Sequence, residues 1–132
     1  MAKSLNPKDS DRRQERDRLL ALEVVGQTID KLYADVKKIS VTYSQNYHGG
    51  SSYFVKDKLL TWSGSRLADF TIRCASRDCV HGGFDLGPVI AAMVEAKAAS
   101  RQGSEYCQGW EAEVWIGRRR CHTGLEYEIT IQ

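Results

Sequence analysis

The sequence predicts an α+β fold: a long N-terminal helix, then a small antiparallel sheet with one packed helix, stabilised by a zinc site. Three observations carry this. Apolar residues step by three and four from Leu22 to Ile39, and they alternate with polar ones from Leu125 to Ile131. Between these stretches lie four cysteines, Cys74, Cys79, Cys107 and Cys121, in two pairs. At 132 residues the chain is one domain's worth, or one small domain with an appendage.

Residues 1–9 are polar and read as a disordered tail. Residues 10–40 read as one long amphipathic helix. Asp9 or Ser10 is placed to cap its first amides, and Arg, Gln, Glu, Leu and Ala, all strong helix formers, follow. Leu22, Val25, Ile29, Leu32, Val36 and Ile39 form an a/d seam, and Gly26 is tolerated within it. A second rim of Leu19, Leu20, Val24 and Tyr33 widens the stripe, so it suits either a partner helix or the body of its own domain.

Residues 41–65 read as a loop-rich connection. Gly49 and Gly50 are free to turn, and two short strands are expected at Tyr53–Val55 and Leu59–Trp62. Residues 66–132 read as the zinc-stabilised α+β domain. Ala68, Phe70, Ile72 and Cys74 alternate with Asp69, Thr71 and Arg73, as in a half-buried strand that ends on a cysteine. Phe84–Leu86 is a further short strand. Pro88 opens a helix that runs to Arg101, with Gly103 as its stop. Strands follow at Ser104–Trp110 and Glu113–Ile116, then a turn at Gly117–Arg120, then the final strand. In that strand Leu125, Tyr127, Ile129 and Ile131 face one way, and Glu126, Glu128 and Thr130 the other. The two glutamates are expected on a solvated face.

The cysteines carry the chemistry. No apolar core follows the first residues, and no run approaches the ~18 apolar residues of a membrane helix. The expected compartment is therefore the cytoplasm, without a membrane partner, where disulfides are rare and four cysteines read first as metal ligands and second as buried free thiols or a reversible disulfide. Tetrahedral Zn2+ needs four soft donors at about 2.3 Å from one point. Cys74 and Cys79 are close enough in sequence for one short loop to deliver both, with His81-Gly82-Gly83 able to turn tightly behind them. Cys107 and Cys121 become neighbours when residues 108–120 form a hairpin. With one knuckle and one hairpin pair, the arrangement resembles a distorted zinc ribbon. His81 and His122 are the possible substitutes for one sulfur. They adjoin cysteines or follow them closely, but consecutive strand positions face opposite sides.

The remaining signals bound the function. The net charge of +2 argues against a dedicated sequence-independent polyanion binder. Phosphate-loop, zinc-protease, nucleophile-elbow and deaminase patterns are absent from the sequence. The expectation is a non-catalytic zinc-binding interaction or regulatory module, which binds a protein partner or forms a homodimer through residues 19–39. The alternative is a nucleic-acid-binding protein that uses Arg118, Arg119 and Arg120 with Trp110, Trp115 and an expected Tyr43/Tyr47 loop. A zinc enzyme using His81, His122 and a glutamate at an open metal position comes third.

Overall fold

The computed structural model describes residues 7–47, 52–77, 79–113 and 117–132. Helix α1 spans Pro7–Val25, so it begins within the stretch expected as a tail and ends well before residue 40. Gly26 decides the end. At φ +66° it takes the left-handed conformation that closes helices at little cost, and Gln27 N–H returns to Leu22 O at 3.0 Å. A single turn, α2 (Ile29–Leu32), follows, and by Ile39 the chain is already strand β1 (Ile39–Tyr47).

The single helix over 10–40 and its six-residue seam are thereby corrected. Ile29 and Ile39 are sealed in the protein's own core, while Val25 (65%) and Leu32 (44%) remain exposed, so the six share no common face. The heptad spacing loses because Ile39-Ser-Val-Thr-Tyr43 also alternates, and β-branched and aromatic residues with a sheet to join favour the strand. The loop-rich connection at 41–65 is corrected for the same reason. Its two short strands merge into one, β2 (Tyr53–Trp62), which pairs antiparallel with β1. Gly49 and Gly50, expected at the turn, lie outside the described residues.

Beyond β2 come β3 (Thr71–Ile72), β4 (Cys79–Val80), β5 (Phe84–Asp85), helix α3 (Gly87–Ala96), β6 (Ser100–Tyr106), β7 (Trp110–Glu113), β8 (Gly117–Arg120) and β9 (Thr123–Ile131). Strands β2, β1, β9 and β6 make a four-stranded antiparallel sheet in that order. The β1–β9 register sets Ile39 opposite Ile131, Val41 opposite Ile129 and Tyr43 opposite Tyr127. Leu60 and Trp62 extend this apolar face into β2, where they stand opposite Val41 and Ile39. Ile90 and Met93 of α3 belong to the same buried cluster, with Phe70, Ile72, Phe84 and Leu86. Each such aliphatic or aromatic side chain contributes about 1.5–3 kcal/mol by leaving water.

Helix α3 is shorter than expected. Lys97, at φ +55°, caps it, and the chain is back in the sheet at Ser100. Gly103 is not the helix stop. It lies in β6 beneath the ring of Tyr127, where a Cβ would collide with the phenol. The half-buried strand expected over 68–74 shrinks to β3, paired with β5. Two register shifts, between Tyr43 and Gln45 and between Gln45 and Asn46, interrupt the pairing of β1 with β2 at the outer edge of the sheet. Tyr43 pairs with Lys58 and Gln45 with Val55, so Ser44 alone faces both Lys56 and Asp57. Asp57, at φ +52°, is thrown out of the ladder, and its N–H donates instead to the buried Ser44 Oγ at 2.9 Å.

A second, three-stranded sheet of β4, β7 and β8 stands at the end of β6 and β9. It is the hairpin expected between Cys107 and Cys121, with β4 added along one side. Gly117–Arg120, expected as a turn, is the strand β8, and Arg118, Arg119 and Arg120 stand opposite Ala112, Glu111 and Trp110. Turn composition is overridden here by pairing along the ladder.

Candidate metal centre

The four cysteines come from four different places in the chain. Cys74 follows β3, Cys79 opens β4, Cys107 follows β6, and Cys121 lies between β8 and β9. Cys107 and Cys121 sit where the chain passes between the main sheet and the small one, and Cys74 and Cys79 bound the segment that joins β3 to β4. The crossing is held by backbone bonds next to the sulfurs: Cys107 N–H to Thr123 O at 2.9 Å, and Cys121 N–H to Gly109 O at 3.1 Å.

All four Sγ atoms lie within 4.8 Å of one another. Cys74 and Cys121 approach to 3.7 Å, and Cys79 and Cys107 to 3.6 Å. All four are free thiols. Sulfurs at about 2.3 Å from a common centre in tetrahedral array would be ~3.8 Å apart, so the cluster can hold a metal ion. Among the described residues the donor group close enough for one ion is these four sulfurs, with neither histidine in it. His81 is an exposed residue at φ +53°, its ring 6.1 Å from that of Trp110. His122 is half-buried beside Cys121.

The surroundings suit sulfur carrying negative charge. The amides of Gly83 and Gly109 each donate to Cys107 Sγ at 3.4 Å. Cys107 also receives hydrogen bonds from the thiols of Cys74 and Cys79, and these bonds, more than the amides, hold its pKa down at about 2. The same sharing pushes Cys74 up to about 12, chiefly through Cys107, and raises Cys79 as well, again chiefly through Cys107. A cation bound among the four sulfurs would take the place of their protons.

Two glycines make the close packing of sulfur possible. A Cβ on Gly82 would penetrate both Cys79 and Cys107 Sγ, and one on Gly109 would lie 2.6 Å from Cys79 Sγ and from Gly82 Cα. Neither glycine needs an unusual φ; what matters is the missing side chain.

The sequence reading missed the groups that support the cluster. Gln45, buried in β1, donates from Nε2 to Arg73 O at 2.8 Å and accepts Ala75 N–H on Oε1 at 2.7 Å. Its amide therefore grips the backbone on both sides of Cys74. Ser76 Oγ donates to buried Glu111 Oε1 at 2.8 Å, which ties the knuckle to β7. The available signal was strand alternation: Gln45 continues the inward face of Ile39, Val41 and Tyr43, and a polar residue at such a position needs a buried partner.

The residues singled out for nucleic acid are not assembled into one surface by anything in the described geometry. Arg120 Nη2 donates to Gln108 Oε1 at 3.3 Å, Trp110 is half-buried beside His81, and Trp115 lies outside the described residues. Tyr43 and Tyr47 belong to β1, not to a loop. Glu126 and Glu128 are exposed on β9, as expected. No helix among the described residues is long and apolar enough to cross a membrane. Comparison with protein-family models, with curated proteins and with solved structures finds no match to this chain.

Proposed function

We propose that the four sulfurs hold one Zn2+ ion as a structural centre, and that the protein is a non-catalytic, metal-stabilised binding module. The observation that carries this reading is the sulfur cluster, with its contacts of 3.6 and 3.7 Å and its closure by four protein ligands. Soft thiolates favour zinc among the common divalent ions. Catalytic zinc keeps an open position with three protein ligands, whereas four cysteines leave none. Burial of three of the four sulfurs agrees with a structural role. A dimer seam built from Leu22 to Ile39 is not part of this reading, because Ile29 and Ile39 are occupied inside the fold.

Elemental analysis of protein purified without chelator is expected to give one zinc per chain, and near zero for Cys79→Ser and Cys107→Ser. Cobalt(II) substitution should give the intense thiolate charge-transfer absorption of a tetrahedral four-sulfur site. A zinc-free but fully folded wild type would refute the proposal.

A further inference from the structure

The four sulfurs are not equivalent. Cys79, Cys107 and Cys121 are buried, whereas Cys74 is half-buried. Cys74 also forms part of the wall of a cavity of about 450 Å³ lined by α1 and the 73–77 segment. Cys79 borders the same cavity, but Gly82 and Gly109 press against its sulfur so closely that neither could carry a side chain. Cys107 takes amide bonds from Gly83 and Gly109, each of which draws electron density away from sulfur. Cys74 takes one, from the backbone of Ser76. The sulfurs fall into two close pairs, Cys74 with Cys121 at 3.7 Å and Cys79 with Cys107 at 3.6 Å. A disulfide spans about 2.05 Å, so either pair is a short side-chain rotation from a bond. Access, not distance, separates the two pairs.

Resting on the zinc assignment above, we propose that the centre is a redox switch: a hydroperoxide entering the cavity oxidises Cys74, a disulfide to Cys121 closes, and the metal ion is released. Cysteines bound to a metal are thiolates, and the thiolate is the nucleophilic form. The Cys74 sulfur attacks the terminal peroxide oxygen; the O–O bond breaks, an alkoxide (hydroxide from hydrogen peroxide) leaves, and a sulfenic acid forms. The Cys121 thiolate then attacks the Cys74 sulfur, the S–O bond breaks and hydroxide leaves. Two thiolates have given up two electrons, the peroxide has accepted them, and water protonates both leaving groups. Cys79 and Cys107 alone leave half of the four-sulfur coordination. The small sheet of β4, β7 and β8 is then no longer tied to the β3–β4 segment through a common ion, and reduction by a thiol restores all four donors.

The test treats the full-length, zinc-loaded protein with equimolar hydrogen peroxide, follows zinc release with a chromogenic chelator, and locates the crosslink by mass spectrometry. Trypsin cuts after Arg73, Arg77, Arg101 and Arg120, so each cysteine falls on its own peptide. Expected are release of one zinc per chain, a Cys74–Cys121 disulfide as the first product, and rebinding of zinc after reduction with dithiothreitol. Cys74→His removes the accessible sulfur yet keeps four donors, since zinc accepts three cysteines with one histidine. Its peroxide-driven zinc release should be at least tenfold slower. A Cys79–Cys107 bond as the first product would overturn the proposal, as would retention of zinc, a disulfide between two chains, or conversion of Cys74 to sulfinic acid without a crosslink. If Cys74→His does not hold zinc, the order of crosslinks in the wild type decides alone. Zinc content is measured before oxidation. Metal-free wild type would defeat the zinc assignment, whereas loaded protein whose zinc ignores peroxide would defeat only the switch.

Discussion

The main sheet and the cysteine-bearing lobe solve the same problem with different materials. In the main sheet, β1 and β9 pair along their full lengths, and facing apolar residues fill the space between the sheet and α3. The lobe has strands of two and four residues, and among its buried positions are Cys79, Val80, Cys107, Ser76, Glu111 and Cys121. Strands that short are not stable on apolar burial alone. The first region is held by area removed from water, and so by many interchangeable contributions. The second is held by a few donor atoms, each of which matters individually. A fold of this size can therefore keep a lobe whose own core is too small, provided that something bonds its few strong donors together.

If the sulfurs hold zinc as proposed, the sharpest way to break the comparison is to remove it. Structural zinc contributes on the order of 10–16 kcal/mol in small metal-dependent domains, comparable with the whole stability of an ordinary domain. Chelation is expected to free the amides of Cys107, Gly109 and Cys121 for rapid hydrogen exchange, while those of Val41, Tyr127 and Ile129 stay protected. Uniform loss of protection would mean that the two regions unfold as one unit.

Ile129→Ala attacks the other side. Ile129 is fully buried in the main sheet, so the change should cost about 2–5 kcal/mol. It should lower the melting temperature of the entire protein, and the molecules that remain folded should still carry one zinc each. A variant that loses metal before it loses the sheet would contradict the division. Gln45→Leu sits on the boundary and should have the smallest effect. It strands Arg73 O and Ala75 N–H without their partners, at about 1–3 kcal/mol. Its distinctive signature is faster metal release to a competing chelator, because Cys74 loses its anchorage, with little change in protection within β9.

How far each region could be read in advance follows the same division. The alternation of Leu125 to Ile131 announces β9 because one face of the strand is buried and the other is wet. The four cysteines announce their own convergence because few other uses suit such residues in one chain. The region from Gly26 to Trp62 was misread because two periodicities overlap there. Steps of three and four from Leu22 to Ile39 are compatible with a helix, and only the left-handed conformation of Gly26 and the pairing of β1 with β9 decide against it. Neither is a local property. Gln45 and Gly109 were missed, and Gly82 was read only as part of a turn, for a related reason: their importance lies in what arrives beside them from distant sequence, the backbone around Cys74 in one case and cysteine sulfur in the others.

The bulge at Asp57 governs what the outer edge of the main sheet will accept. β2 is an edge strand with exposed Phe54 and Leu59, the kind of rim on which a strand from another molecule can assemble. With Asp57 displaced and its amide committed to Ser44, and with a second register shift between Val55 and Tyr53, the regular pairing of that rim is confined to Lys58–Trp62. Lys56 and Lys58 flank the break and add charge where an incoming strand would have to lie flat. A fibril grows by repeating one uninterrupted template, and here the longest unbroken run is the five residues Lys58–Trp62.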